Sequence, residues 1–147
     1  MPKDISASQP DKNPKPLLQV AALCHRKSPQ GRQILLITSS RGRWILPKGW
    51  PIDGLSDHEA AMQEAWEEGG VKDGKVTPKP LIKFMGAKRF DNGTEVPARI
   101  KVYGIKVRDL SRKYPEHKRR DRRWVSVDKA ARILREKGYL KALKALS

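Results

Sequence analysis

The sequence is poor in cysteine and has no long hydrophobic run, and each shortage excludes a class of protein. The only cysteine, Cys24, cannot form an intramolecular disulfide, so a disulfide scaffold is excluded and a reducing compartment, the cytoplasm, is expected. No stretch approaches the roughly 18 to 20 apolar residues of a membrane span, so we expect no membrane partner. The 147 residues have room for one domain with a genuine core.

Acidic residues are scarce and unevenly placed. The chain has 16 Asp and Glu against 32 Lys and Arg, a formal net charge of +16. Such an excess favours a polyanionic partner: nucleic acid, anionic lipid or a polyphosphate. Six of the acids fall between Gly49 and Val71, where no Lys or Arg occurs. Because a solubilising surface usually mixes the two signs, this separation points to a specific role for the acidic segment.

Short apolar runs separated by turn signals predict a mixed α/β domain with helices packed on a sheet. The strands are predicted over 17–26, 33–40, 44–48, 81–90, 98–107 and 122–127, with 71–80 as a connection. A capping box at Ser56 and Glu59 opens a helix that ends near Gly69 and Gly70. A second helical stretch covers 128–146, interrupted at Gly138. Residues 1–16 are expected to be a flexible leader before a domain at 17–147.

The helix that follows Ser56 has an acidic face. At about 100° per residue, one arc holds Asp57, Glu64, Glu67 and Glu68. The neighbouring arc is apolar and is expected to face the core: Ala61, Met62, Ala65 and Trp66. Carboxylates three or four residues apart repel one another mildly, and a divalent cation such as Mg²⁺ would relieve that repulsion. The alternative is a solvated acidic face without a ligand.

The residues before this helix favour the metal alternative. A predicted strand brings Arg41, Arg43 and Lys48 to the Gly49 loop, so cations suited to phosphate would meet the carboxylates. The three histidines lack metal-ligand spacing and are expected at the surface or beside a helix cap: His25, His58 and His117. Trp50 follows the Gly49 turn, where it either stacks on a base or covers the loop.

Residues 47–71, PKGWPIDGLSDHEAAMQEAWEEGGV, resemble the Nudix box. Six residues fall on the pattern of that family: Gly49, Glu64, Glu67, Glu68, Gly70 and Val71. Leu55 and Gln63 stand where the family has Glu and Arg, which commonly pair to brace the loop, and Ala65 is smaller than usual. The resemblance implies a Nudix-type α/β/α sandwich: a mixed sheet with the Nudix helix and a C-terminal helix packed on it.

The resemblance also implies a chemistry. It is that of a hydrolase that cleaves a phosphoanhydride bond with Mg²⁺, for which Mn²⁺ is expected to substitute. The implied metal ligands are Glu64, Glu67 and Glu68, and the implied catalytic residues are Glu68 and Glu67, with Glu68 favoured as the base.

Three further segments, CHR at 24–26, TSSRGRWILPKG at 38–49 and RRDRRWVSVDKAARIL at 119–134, are similar to the diphosphoinositol polyphosphate phosphohydrolase branch. That branch includes members acting on dinucleoside polyphosphates. The implied substrate contacts are Arg26, Ser40, Arg41, Arg43, Lys48, Gly49 and one of Arg119 and Arg120. The expected substrate is a diphosphoinositol polyphosphate or a diadenosine polyphosphate, and the expected state is monomer or homodimer.

Three alternatives remain open at this level. An RNA 5′-pyrophosphohydrolase would combine the same chemistry with an RNA partner. A non-catalytic nucleic-acid-binding module would use the basic stretch 113–124 as a phosphate footprint and would not need a metal. A catalytically poor Nudix-like scaffold would follow from the loss of the pair at Leu55 and Gln63.

Overall fold

A mixed eight-stranded sheet organises the fold in the computed structural model, which describes residues 16–146. The predicted leader, apart from Pro16, and Ser147 lie outside the described residues. The strands are β1 (Leu17–Ser28), β2 (Gly31–Thr38), β3 (Trp44–Ile45), β4 (Lys48–Gly49), β5 (Val71–Val76), β6 (Ile82–Arg89), β7 (Glu95–Leu110) and β8 (Arg122–Ser126). The helices are α1 (Asp57–Gly69), α2 (Val127–Leu134) and α3 (Lys137–Ala145).

The long strand β1 lies at the centre of the sheet, which has the order β3-β2-β1-β7-β5. β1 runs parallel to β7, with Leu17 opposite Ala98 and His25 opposite Lys106. Its other neighbours are antiparallel: β2 along one edge and β4 at Val20 and Ala21. Residues 20–24 of β1 are 0–1% exposed, because a central strand covered on both faces buries every side chain.

Helices cover both faces of this sheet. On one face, Ala60, Ala61 and Ala65 of α1 pack on a cluster that includes Val20 and Tyr103. On the other face, α2 and α3 close a cluster around Leu23, Ile34, Ile100 and Val102. The sandwich predicted from the sequence is therefore confirmed. None of the helices within residues 16–146 is long and apolar enough to cross a membrane.

Two predicted elements are wrong in type or in continuity. Residues 71–76, predicted as part of a connection, form β5, which pairs with β7 across a bulge at Asp73 and Gly74. The strand predicted over 44–48 is two strands, with β3 bonded to β2 and β4 bonded to β1. Pro47 lies between them because it has no N–H for a ladder, and its carbonyl accepts a hydrogen bond from the Ala22 N–H at 2.8 Å.

The C-terminal helical stretch is interrupted, but not at the predicted residue. The break falls at Arg135, which has φ 62°, and at Glu136, the N-cap of α3. Gly138 lies inside α3 and is buried. A Cβ at this position would lie 2.1 Å from the ring of Phe84, so the lack of a side chain permits α3 to pack closely on β6. Gly138 therefore does not end a helix.

Two side chains differ from the sequence prediction in how far they are buried. His25 is buried at 8% exposure, where its Nδ1 is 2.7 Å from Nη1 of Arg32. Burial and the nearby Arg32 and Lys106 lower the pKa of His25 to about 4. Trp66, expected in the core, is only partly buried and borders a surface groove.

Candidate active site

Helix α1 has well-defined ends, which fix the direction of its acidic side chains. The Ser56 hydroxyl accepts a hydrogen bond from the Glu59 N–H at 3.3 Å, and the Glu59 carboxylate accepts one from the Ser56 N–H at 2.9 Å. This is the capping box predicted from the sequence. At the other end, Gly70 adopts φ 71°, the left-handed conformation of a C-cap. Glu64 and Glu68 are therefore held one helical turn apart on a rigid element.

The short strand β4 packs directly against these two carboxylates. A Cβ on Gly49 would lie 2.4 Å from the carboxyl carbon of Glu64, so a side chain at this position would displace Glu64. The Lys48 N–H donates a hydrogen bond to Oε1 of Glu68 at 3.2 Å. Gly49 therefore admits Glu64, while the backbone at Lys48 orients Glu68.

The carboxyl groups of Glu64 and Glu68 are coupled to one another. Burial, followed by the neighbouring Glu68 and Glu67, raises the pKa of Glu64 to about 8. Burial also raises the pKa of Glu68, which is 7% exposed, although Arg120 and the Lys48 N–H act in the opposite direction. The two carboxyl groups also act on each other in opposite directions, because their contact raises the pKa of Glu64 and lowers that of Glu68.

This pair fits a divalent cation. Burial raises the pKa of both carboxyl groups, and a hard cation between them would offset that cost of ionisation. Mg²⁺ commonly binds one or two protein carboxylates together with substrate phosphates. Glu67, the third expected ligand, is turned aside, because its Oε2 accepts a hydrogen bond from Gln63 Nε2 at 2.6 Å. Within residues 16–146 no three acidic, His or Cys side chains are already gathered at metal-binding spacing.

Arg120 reaches the carboxylates from the β7–β8 connection. Its Nη2 is 3.6 Å from Oε2 of Glu68, its Nη1 donates to the Thr38 carbonyl at 2.7 Å, and its Nε donates to Glu116 at 2.6 Å. The connection is itself fastened to α1, because the Glu116 N–H donates to the Glu67 carbonyl at 3.0 Å. The side chain of Arg120 is thus fixed at three points, with 19% of its surface exposed.

Sequence reasoning missed Glu116. This carboxylate is 17% exposed and acts electrostatically on both Glu64 and Glu68. Glu116 and Arg120 are four residues apart, a spacing that brings side chains together on a helix. Because the segment shows no helical pattern, this spacing did not predict a contact. Only the turn structure of the connection brings Glu116 next to α1.

A polar cavity of about 660 Å³ opens beside this cluster. Six cations line it: Arg41, Arg43, Lys48, Lys88, Arg89 and Arg120. Four carboxylates also border it: Glu68, Asp91, Glu95 and Glu136. Burial lowers the pKa of Lys48, and the charge of the nearby Glu136 partly offsets this decrease. The cavity therefore combines cations with Glu68, one member of the carboxyl pair, an arrangement that can hold several phosphate groups beside a metal site.

Not every expected substrate contact lies at this cavity. Ser40, Arg41, Arg43, Lys48 and Arg120 line it, whereas Arg26, Gly49 and Arg119 do not. The Arg26 guanidinium stacks 4.1 Å from the ring centre of Trp124 and donates to Gln33 at 2.8 Å. Arg119 has a side chain that is 74% exposed and faces Glu116. Of the two consecutive arginines, Arg120 is the one at the cavity.

A second, mainly apolar groove lies on the opposite side of α1. It has a volume of about 520 Å³ and is lined by Leu55, Glu59, Met62, Gln63, Trp66, Val71, Lys72 and Val76. Leu55 and Gln63, two of the three departures from the Nudix pattern, both border it. Where that pattern has an ion pair, this chain has an apolar side chain and an amide that bonds to Glu67.

The geometry agrees with what is found among known proteins. A family model described as the NUDIX domain matches residues 17–146. Nudix hydrolase 16, mitochondrial, of Arabidopsis thaliana is 31% identical over 111 residues, which cover 70% of this chain and 58% of that protein. Diphosphoinositol polyphosphate phosphohydrolase 3-alpha of Homo sapiens is 32% identical over 120 residues, which cover 79% of this chain and 68% of that protein.

Solved structures show the same fold. A crystal structure of C. elegans Ap4A hydrolase superposes with a TM-score of 0.62 at 16% identity, covering 90% of this chain and 96% of that one. The matched part of this chain thus spans about three fifths to two thirds of the two curated relatives and nearly all of the solved enzyme.

Proposed function

This chain belongs to the Nudix family of hydrolases, and we propose from that membership that it is a Mg²⁺-dependent pyrophosphohydrolase that cleaves a phosphoanhydride bond in a highly phosphorylated substrate. One observation carries the proposal. Glu64 and Glu68 are held side by side by β4, and Glu68, which faces Arg120, lines a cavity that also contains six cations. Acidic groups for a metal and basic groups for phosphates therefore meet at one place.

Glu64 and Glu68 would hold the metal, and Glu67 would join them on release from Gln63. Mg²⁺, or Mn²⁺ in its place, would supply a bound water of lowered pKa and neutralise charge on the phosphate oxygens. The protein prepares this site by burying both carboxyl groups and by fixing Glu68 with the Lys48 N–H. Because the pKa of Glu64 is raised, metal binding would require this carboxyl group to lose a proton.

The cavity cations hold and orient the phosphates. Arg41, Arg43 and Arg120 can each form two parallel hydrogen bonds to a phosphate, whereas Lys48 provides a point charge. Burial lowers the pKa of Lys48, whereas the charges of Glu136 and Glu68 raise it and so favour the ammonium form of this side chain. These contacts place a phosphoanhydride bond beside α1 and neutralise charge as it develops on the leaving phosphate.

Glu68 is the proposed general base. It accepts the proton of the attacking water as the water forms a bond to phosphorus and the bond from phosphorus to the bridging oxygen breaks. Burial raises the basicity of this carboxylate, while Arg120 and the Lys48 N–H keep it ionised and oriented. Glu67 is the second catalytic candidate, and its hydrogen bond from Gln63 must break before it can act.

The proposed substrates are diphosphoinositol polyphosphates and diadenosine polyphosphates. The names of the human relative and of the C. elegans enzyme support these two classes. The six cations around the cavity favour an anion that carries several phosphates over a monophosphate. The cytoplasm is the proposed compartment, in keeping with a buried, unpaired Cys24 whose pKa is raised to about 12.

A phosphate-release screen tests the proposal. Diphosphoinositol pentakisphosphate, diadenosine tetraphosphate and 5′-triphosphate RNA are incubated with the protein in Mg²⁺, in Mn²⁺ and in chelator. We expect metal-dependent hydrolysis of one of the first two. Preferential hydrolysis of the RNA would instead identify the RNA 5′-pyrophosphohydrolase. RNA binding that falls steeply with salt, without hydrolysis of any compound, would identify the non-catalytic nucleic-acid-binding module.

A further inference from the structure

Two turns from distant parts of the chain meet at the mouth of the polar cavity. The Ser40 hydroxyl donates a hydrogen bond to Oδ1 of Asp91 at 2.9 Å. The Arg41 guanidinium donates to the main-chain carbonyl of the same residue. The two sides of this contact are about 50 positions apart in the sequence, and all three residues line the cavity. The hydroxyl and guanidinium expected to contact phosphate are therefore engaged by a residue of the protein.

Each turn keeps its shape by bonds of its own. In the β2–β3 loop, the Ser39 hydroxyl accepts hydrogen bonds from the N–H groups of Arg41 and Arg43, at 3.3 and 3.1 Å. In the β6–β7 turn, the Phe90 N–H donates to the Thr94 carbonyl at 2.9 Å. Separation of the two turns would break only the contacts to Asp91, so the contact can open without unfolding either turn.

The chemistry of Asp91 allows it to compete with phosphate for the same hydrogen-bond donors. A carboxylate oxygen and a phosphate oxygen are both anionic acceptors, and both suit a Ser hydroxyl and an Arg guanidinium. Asp91 is exposed at the tip of its turn, whereas the other carboxylates of the cavity have charged partners inside it. Glu68 faces Arg120, and Glu95 pairs with Arg89.

We propose that Asp91 acts as an internal competitor of the substrate phosphates, holding Ser40 and Arg41 in the free protein and giving them up when a polyphosphate binds. The inference rests on the proposed function, because it takes the cavity to be where phosphates enter. Asp91 weakens binding in two ways: its charge repels the ligand, and its bonds must break first. It is a positioning residue, acting through Ser40 and Arg41, and it does not touch the reacting atoms.

Calorimetric titration with sodium tripolyphosphate, in metal-free buffer of low ionic strength, measures the effect without turnover. Asp91→Asn is expected to bind about fivefold more tightly than the wild type, which is the effect of removing one screened charge near a polyanion. Asp91→Ala, which also removes the acceptor for Ser40, is expected to bind at least as tightly. The matched control is Asp109→Asn, the same charge change at an exposed position outside the cavity, which should change binding by less than about twofold.

A double-mutant cycle separates the specific contact from general electrostatics. In the wild-type background, Asp91→Ala should gain more than Asp91→Asn, because only alanine removes the acceptor for Ser40. In a Ser40→Ala background, the gain from Asp91→Ala should fall to that of Asp91→Asn, because the hydrogen bond is already gone. A general charge effect would give the same gain in both backgrounds. In steady-state hydrolysis, Asp91→Asn should lower KM and leave kcat within about twofold, since the residue competes with ground-state binding.

Three results would overturn the inference: equal or weaker tripolyphosphate binding by both Asp91 variants, an equal gain from Asp91→Ala in the presence and absence of Ser40, or no binding by any variant. Its failure is distinct from failure of the proposed function. Metal-dependent hydrolysis with unchanged affinity in the Asp91 variants would refute the competitor alone. Tighter tripolyphosphate binding without hydrolysis of any substrate would refute the enzyme and keep the competitor.

Discussion

The two sides of α1 face cavities of similar size and opposite chemistry. The apolar groove, about 520 Å³, is lined entirely by residues between Leu55 and Val76. The polar cavity, about 660 Å³, draws its walls from residues as far apart as Ser39 and Glu136. The groove can be built from residues close together in the sequence, because it lies between one helix and the strand that follows it. The polar cavity needs cations and carboxylates from several separate elements. The chemistry of α1 therefore depends on which side of the helix a residue occupies, and the following substitutions test that difference.

The largest expected effect comes from removing a carboxylate on the polar side. Glu68→Gln should lower kcat by about 10³-fold or more, because the variant loses both a metal ligand and the proposed base. Phosphate release under saturating substrate and Mg²⁺ measures the loss. Glu59→Gln is the matched control on the groove side, where glutamine at this position preserves the capping box. Equal activities of the two variants would refute the assignment of Glu68.

Arg120 should matter far more than its neighbour. Arg120→Ala removes the contacts to Glu68, Glu116 and the Thr38 carbonyl, and kcat/KM should fall about 10²-fold. Arg119→Ala, in a side chain that is 74% exposed, should stay within about threefold of the wild type. Steady-state kinetics on both variants measures the difference. The reverse ranking would mean that the β7–β8 connection adopts another arrangement when substrate binds.

The buried carboxyl pair should give the metal-free protein a pH-dependent stability. The pKa of Glu64 is about 8 in the folded protein and has an ordinary value of 4.5, so between these values the folded state retains a proton that the unfolded chain has lost. Because the lowered pKa of His25 acts in the opposite direction below about pH 6.5, the free energy of unfolding in chelator should fall as the pH rises from 6.5 to about 8, by at most about 1.4 kcal/mol per unit.

Denaturant unfolding at several pH values measures that slope. Glu64→Gln should flatten it, because glutamine does not titrate, whereas Glu59→Gln on the groove side should leave it unchanged. Saturating Mg²⁺ should stabilise the wild type more than Glu64→Gln, since a ligand that binds only the folded state raises the free energy of unfolding. A slope that persists in Glu64→Gln would place its source elsewhere.

The smallest effect is expected from the groove side itself. Restoring the pair of the family pattern with Leu55→Glu and Gln63→Arg should change kcat by less than about threefold and add no more than about 1 kcal/mol of stability, as for a surface ion pair. The matched control is the single variant Gln63→Arg. A sharp rise in kcat in the double variant alone would identify the wild type as a catalytically poor scaffold limited by loop rigidity.

Local patterns accounted for α1 and for the strands with strong apolar runs. The capping box at Ser56 and the C-cap at Gly70 depend on residues within one turn of each other, so both ends of the helix were predictable. β5 was missed because Val71–Val76 contains a glycine and charged residues, and it becomes a strand through its pairing with β7. Gly138 was misread because its partner, Phe84, is more than 50 residues away in the sequence.

By itself, the sequence determined that the carboxylates of α1 share one face and that the chain carries an excess of cations, since helical period and composition are properties of the local chain. Only the tertiary structure decided which of these groups meet. It packs β4 against Glu64 and Glu68, selects Arg120 over Arg119, and brings Asp91 to Ser40. Charges and hydrogen bonds act over a few ångströms in space, and the pairing of strands sets that spacing without regard to separation along the chain.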